Sequence, residues 1–349
     1  MKTEHILIMR FSAMGDVAMM VPVVYSLAMQ HPHVRITVLS RPFARPFFEN
    51  LAPNVYFMGA DVVKEYKGVK GLNTLYRRLI AKKFTAIADF HDVLRTKYLR
   101  TRYTLAGYKV AHINKHRAEK HRLTRQHNKQ LQPIQSAFEN YADVLRKLGY
   151  PVELKFNAIN NSGNSQLNLL PEQLKVKPER ERWIGIAPFA AHRGKIYPIE
   201  KTRQVVSMLV AKHPDWKLFF FGGGQKEMDV INQWTEQYPQ TFNASQMLKG
   251  LSAEIEMMAQ LDTMLSMDSA NMHLASLVGT PVVSIWGATH PYAGFLGWNQ
   301  KASNVIQKEL ECRPCSIYGS KKCFRNDYAC LHTIEPEEIV AKIEENIKP

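Results

Sequence analysis

Thr263-Met264-Leu265-Ser266-Met267-Asp268-Ser269-Ala270-Asn271-Met272-His273-Leu274-Ala275, with Gly279-Thr280-Pro281 and an apolar run to Trp286 behind it, is the stretch on which the fold turns. Residues 263–267 have strand length and composition. Asp268 ends that run, small residues open a helical pattern over 270–278, and residues 281–286 form a second apolar run. Strand, helix, strand is the unit from which parallel sheets are made, because parallel neighbours need a crossover. Outward from here the alternation continues, with strands expected at 183–187 and 217–221 and helices at 200–212, 225–237, 253–261 and 335–347. In the first half, strands are expected at 6–11, 34–39, 55–58 and 86–90, and helices at 17–30, 72–83 and 134–148. The fold class is α/β, with two Rossmann-like parallel sheets.

Residues 1–160 are expected to form an N-terminal domain and 183–349 a C-terminal one. The polar stretch 161–182, next to Asn160-Asn161-Ser162-Gly163-Asn164-Ser165, has the composition of a linker. Two domains agree with a chain of 349 residues. No apolar run has the length of about 18 residues that a membrane span needs. Residues 5–9 are too short for a signal core, and Arg10 interrupts them. A soluble cytoplasmic protein is expected.

Charge is unevenly placed. The net charge is +15, and residues 1–150 account for it with 25 Lys/Arg against 10 Asp/Glu, whereas the remainder has 21 of each. Between 93 and 138, eleven basic residues, among them Arg95, Arg117, Lys120, Arg122 and Arg125, face one acid, Glu119. Such a stretch attracts polyanions: nucleic acid, an anionic membrane surface or a phosphorylated substrate. The plainer alternative is a solubilising face, which would have no reason to gather in one half.

In open α/β sheets ligands bind beyond the carboxyl ends of strands, so the segments that follow strands are the candidate sites. Arg10-Phe11-Ser12-Ala13-Met14-Gly15-Asp16 is the first. Asp16 can act as a general base toward a substrate hydroxyl, or simply cap a helix. The second is residues 186–195, where Arg193 and Lys195 suit a phosphate or pyrophosphate and are otherwise a pair of solvated cations. In Phe221-Gly222-Gly223-Gly224-Gln225 a glycine turn such as Gly223 lets backbone approach a ligand, and Glu227 can accept hydrogen bonds from a ribose. In the fourth, Asp268, Ser269 and Ala270 start a helix whose N–H groups suit a phosphate, with His273 one turn in. G-x-G-x-x-G and G-x-x-x-x-G-K-[ST] are both absent.

Met267 to Ala275, Gly279-Thr280-Pro281-Val282-Val283 and Trp286-Gly287-Ala288-Thr289-His290-Pro291 together resemble the lipopolysaccharide heptosyltransferase family, an inverting glycosyltransferase family, family 9. Gly15-Asp16 with Pro22 looks like that family's opening signature, and Ala187-Pro188 with Lys195-Ile196-Tyr197-Pro198 looks like its phosphate loop. The resemblance implies a GT-B fold with a cleft between the domains and inverting transfer from ADP-heptose without a catalytic metal. It implies Asp16 as catalytic base, and a donor site of Lys195, Arg193, Gly223, Glu227, Asp268, Ser269, Ala270 and His273. The acceptor it implies is the inner core of lipopolysaccharide on lipid A. Arg95, Arg117, Lys120, Arg122 and Arg125 would contact that acceptor or anionic lipid, placing the enzyme on the cytoplasmic membrane face. Ala190 and Ala191 depart from the hydroxyl residues of some members, and Tyr197 stands where Trp is common.

Two other functional readings are compatible with the residues. One is a related transferase with a different nucleotide sugar. The other is a nucleic-acid-binding protein acting through residues 93–138, against which that tract has no recognisable reading module. Cys312, Cys315, Cys323 and Cys330 have a spacing that suits a structural zinc staple for the loop 311–331, the alternative being reduced buried thiols.

Overall fold

The structure, a computed structural model, describes residues 4–159 and 166–347. It contains two compact units: Met1–His116 with Gln135–Ile159, and Arg117–Ile134 with Asn160–Pro349. The first has a parallel sheet of β1 (His5–Met9), β2 (Arg35–Ser40), β3 (Val55–Gly59), β4 (Ala86–Asp89) and β5 (Lys109–His112), in the order β3-β2-β1-β4-β5. The second has β6 (Trp183–Ala187), β7 (Lys217–Phe220), β8 (Thr241–Asn243), β9 (Thr263–Met267), β10 (Val282–Ile285) and β11 (Val305–Ile306), in the order β11-β10-β9-β6-β7-β8. Each pairing is parallel; β1 aligns Ile6 with Ile36 on one side and with Ala86 on the other.

Central strands β1, β6 and β9 are buried along their whole length. Covered on both faces, such strands must be apolar at successive positions, which is why they read as continuous hydrophobic runs. Leu7, Met9, Ile87 and Leu99 anchor the first core; Ile186, Phe220, Leu265, Ile285 and Ile343 anchor the second. Strand order reverses beside β1 in the first sheet, between β1 and β4, and beside β6 in the second, between β6 and β9. At such a switch point neighbouring crossovers leave on opposite faces, opening a crevice at the carboxyl ends.

Several expectations change. The segment 17–30 is two helices, Met14–Ala18 and Val21–Gln30, and Pro22 lies in the first turn of the second, where its missing N–H costs nothing. The helix expected over 134–148 spans Ala137–Lys147, started by Ser136, whose hydroxyl accepts the Glu139 N–H while the Glu139 carboxylate accepts the Ser136 N–H. The boundary at 160 does not hold for residues 117–134, which belong to the second unit. Of the expected linker, and of Asn160 to Ser165, residues 160–165 lie outside the described residues. The rest is tied to the second unit: the Gln166 N–H bonds the Glu256 carboxylate at 3.0 Å, and Lys177 Nζ bonds Asp262 at 2.5 Å. Among the described residues no helix is long and apolar enough to cross a membrane.

The loop that leaves β10 is built around close backbone approach. A Cβ on Gly287 would stand 2.6 Å from the Gly194 carbonyl oxygen and 2.6 Å from Leu331 Cγ. Gly287→Ala is therefore expected to destabilise the second unit by about 1–3 kcal/mol through overpacking. A thermal melt of the full chain, read against Gly223→Ala, which meets nothing within 4 Å, checks this.

Candidate active site

The carboxyl ends of β1 and β4 bring four polar side chains together. Arg10 follows β1 directly, and its guanidinium donates to the Phe90 carbonyl at 2.6 Å and pairs with Asp16 Oδ2 at 2.8 Å. The same Asp16 oxygen accepts the Ala13 N–H at 3.2 Å, so the carboxylate closes its own helix start while facing a cation. Asp16 is therefore not the N-cap itself: it stands at N3 and satisfies the N–H of the N-cap residue Ala13. Tyr141 donates its hydroxyl to the Asp16 carbonyl at 3.2 Å, and Phe90 stacks on its ring at 4.7 Å.

His91, directly after β4, was not singled out in the sequence, and neither was Arg10. The rule that singled out Asp16, a polar residue just past a strand, would have found both. His91 Nδ1 accepts the Phe11 N–H at 3.4 Å, which leaves the ring proton on Nε2, 3.4 Å from Ser12 Oγ. Burial, with Arg10 next, pushes the imidazole down to about 3; Asp16 opposes this, and Lys115 and Arg95 add to it. At neutral pH His91 is an uncharged fixed donor.

At the switch point of the second sheet, Lys195 Nζ lies 2.9 Å from Asp268 Oδ2, and both side chains are largely withdrawn from solvent. Lys195 ends the short turn Arg193–Lys195 after β6; Asp268 follows β9. Ser269 N-caps the helix Ala270–Leu277 in extended conformation, its hydroxyl 3.2 Å from that of Ser266, and His273 is buried one turn in. Arg193 turns elsewhere: it donates to the Ile196 carbonyl and His332, and lies over the Tyr328 ring. Gly223 gives its N–H to Glu227 Oε2 at 2.8 Å, so that carboxylate closes the glycine turn, where Gly224 has φ +82°. Tyr197 is buried, its hydroxyl donating to the Ile334 carbonyl at 2.9 Å.

The basic set is divided between the two units. Arg95 lies exposed in the helix Leu94–Leu105 of the first unit, whereas Arg117, Lys120, Arg122 and Arg125 ride with the second. Specific contacts fasten that strap: Lys120 Nζ over the Phe295 ring at 5.1 Å, Lys129 Nζ to the Glu311 and Pro314 carbonyls, and the Ile134 N–H to the Tyr292 carbonyl at 2.8 Å.

The zinc expectation is also corrected. Cys312, Cys315, Cys323 and Cys330 are free, and among the described residues no three His, Cys, Asp or Glu side chains are grouped to hold a metal ion. Burial raises the thiols of Cys315 and Cys330, the latter to about 11, as expected of reduced packed cysteines. The staple of this loop is Arg313. Its buried guanidinium donates to the carbonyls of Trp286, Gly287, Thr289 and Lys308. The loop in turn seats Lys195, whose stem packs where a Cβ on Gly319 would lie 2.6 Å from its Cγ.

The family model of glycosyltransferase family 9 (heptosyltransferase) matches residues 72–323. The chain belongs to this family. Lipopolysaccharide heptosyltransferase 1 of Campylobacter coli is 25% identical over 205 residues, 58% of this chain and 57% of that protein. The chain thus spans about half the length of the curated relatives it matches. Two solved structures share the fold. The Veillonella parvula glycosyl transferase of family 9 superposes with TM-score 0.72 at 18% identity, over 99% of this chain and 98% of that one. The E. coli heptosyltransferase WaaC with ADP gives 0.68 at 16% identity, over 98% and 100%. The two parallel-sheet units are those of the GT-B class.

The buried neutral His91 carries a pH signature. Its value in the folded chain, about 3, lies below the ordinary 6.5, so as pH falls the unfolded chain takes up this proton first. The stability His91 contributes is complete above pH 6.5 and is lost progressively as pH drops toward 3. His91→Gln is expected to shrink the loss of stability between pH 7 and 5 by on the order of 1–2 kcal/mol. Thermal melts of parent and variant across that range check it.

Proposed function

We propose that the chain transfers heptose from ADP-heptose to the anionic inner core of lipopolysaccharide, by an inverting displacement with Asp16 as the base. The observation that carries this reading is the pair of switch points. In a chain of glycosyltransferase family 9, a carboxylate beside a cation stands at the first, and a lysine–aspartate pair beside a helix start stands at the second. The acceptor hydroxyl oxygen forms a bond to the anomeric carbon as the bond from that carbon to the diphosphate breaks. The acceptor proton passes to the Asp16 carboxylate, and ADP departs with the bonding electrons. One in-line step inverts the anomeric configuration.

Charge develops on the departing diphosphate. Lys195 and the N–H groups at the start of Ala270–Leu277 are fixed beforehand and need no reorganisation to meet it. Asp268 holds Lys195 in place before the donor binds and then faces the donor sugar, with Ser269, Ala270 and His273 around it. Gly223 and Glu227 serve the nucleoside, and Arg193 supports the phosphate loop. The reaction needs no cofactor beyond this machinery, an expectation that follows from the family resemblance. The solved relative named with ADP agrees with the donor reading.

Arg95 in one unit and Arg117, Lys120, Arg122 and Arg125 in the other attract the phosphates and carboxylates of the acceptor. They also attract the anionic cytoplasmic leaflet, on which the enzyme would sit peripherally.

Transfer from ADP-heptose to a Kdo-containing lipid A acceptor tests the reaction. The parent is expected to transfer and Asp16→Asn to lose at least a hundredfold in kcat, the scale of a missing general base. No transfer by the parent, with tight binding of another nucleotide sugar, would discard the heptose. Neutralising Arg117, Arg122 and Arg125 together should weaken binding to anionic liposomes in low salt and leave binding to neutral ones unchanged; sedimentation of both vesicle types reads this.

A further inference from the structure

We propose that Arg10 is the positioning residue of Asp16, fixing the direction of its carboxylate and keeping it ionised. This role rests on Asp16 being the base. Arg10 is buried, yet it faces the site through two directed bonds, one to the Phe90 carbonyl at 2.6 Å and one to Asp16 Oδ2 at 2.8 Å. The first bond ties the guanidinium to the end of β4 and the second to the helix Met14–Ala18, so a cation anchored in the sheet aims the carboxylate. The Tyr141 ring lies 5.7 Å from the guanidinium carbon, which completes the seat on the side of the helix Ala137–Lys147.

A base has two needs that pull apart. It must be ionised before the reaction and must still accept a proton in it. An adjacent cation favours the ionised form and opposes protonation. His91, from the end of β4, is held neutral, and Tyr141 is a phenol that donates to main chain. Ser12 carries no charge, and Lys115 and Arg95 are further cations whose charge reaches His91. Arg10 is in a direct ion pair with the carboxylate, at 2.8 Å. It also couples orientation to charge, because the guanidinium has a planar fork where a lysine has a point charge.

Three full-length variants separate the contributions. Arg10→Met is expected to lower kcat about a hundredfold with acceptor KM little changed, the cost of a misplaced reacting group. In the same variant the acid limb of kcat/KM should move to higher pH. Arg10→Lys should keep the acid limb where the parent has it and still lower kcat about tenfold. Labelling with [γ-13C]aspartate gives a second readout that needs no turnover. The Asp16 carboxyl signal, assigned by its loss in Asp16→Asn, should titrate at higher pH in Arg10→Met than in the parent or Arg10→Lys.

A folded Arg10→Met with the parent's kcat, acid limb and Asp16 titration overturns the role. Should Arg10→Met fail to fold by circular dichroism, Arg10→Lys decides, and parental kcat there overturns it. Asp16→Asn that transfers at the parental rate overturns the base assignment itself, and Arg10's role with it. An inactive Asp16→Asn beside an unaltered Arg10→Met overturns Arg10 alone.

Discussion

A carboxylate with almost no access to water cannot stay charged alone, and the second unit is arranged around that constraint at Asp268. Its partner Lys195 must reach 2.9 Å from it, which fixes where the turn after β6 goes. That turn leaves no room beside it. Gly194 would push a Cβ to 2.8 Å from the Gly319 carbonyl oxygen, and Gly287 and Gly319 are equally confined. The Ala288 N–H bonds the Gly194 carbonyl at 2.8 Å, so the loops after β6 and β10 share a backbone hydrogen bond. Arg313 then satisfies the carbonyls of Trp286, Gly287 and Thr289, which turn inward where no helix or strand can use them. One ion pair thus accounts for three glycines, a buried arginine and the cysteine-bearing segment that delivers it.

The first unit meets a related need with fewer parts. Asp16 is more exposed than Asp268, and its cation is the buried partner. The reversal has a chemical sense. A carboxylate that takes a proton from a substrate must face the substrate, so the group that steadies it stands behind. A lysine that meets a diphosphate must itself face the ligand, so the carboxylate that steadies it is the one withdrawn. Burial follows the role: in each pair the supporting member lies deeper than the one proposed to meet the substrate.

How much of this could be read from residues alone differs between sheet and site. The central strands β1, β6, β9 and β10 were legible because burial on both faces demands unbroken apolar runs. β5, β8 and β11 were not: they are short edge strands, and Lys-Val-Ala-His or Thr-Phe-Asn carries neither a run nor a period long enough to register. Asp16, Lys195 and Asp268 were legible because each follows a strand at a switch point. The partner of Asp16 was not, because the pairing of Arg10 with Asp16 depends on which way a helix leaves the sheet. The cysteines misled for a related reason. Their spacing has the look of a ligand set, whereas the position that organises the loop is occupied by an arginine whose acceptors are all carbonyls or an amide, without a sequence signature.

Charge offers a case of a stretch continuous in sequence being divided between two units. The basic tract from 93 to 138 is continuous in sequence, and the chain leaves the first unit after His116 and returns at Gln135. Five Lys/Arg against one Glu, a net of +4, are thereby carried to a unit whose remaining residues balance. The first unit keeps 21 Lys/Arg against 10 Asp/Glu. If the strap were only solubilising, nothing would require Lys120 to lie over two aromatic rings or Lys129 to close two carbonyls, since a solvated cation gains little from such fixation and loses side-chain entropy by it. Fixing the inner lysines leaves His121, Arg122 and His127 exposed on a segment whose backbone is held. A cationic surface of that kind is ordered before it meets an anion, and the entropy of arranging it is spent in folding rather than in binding.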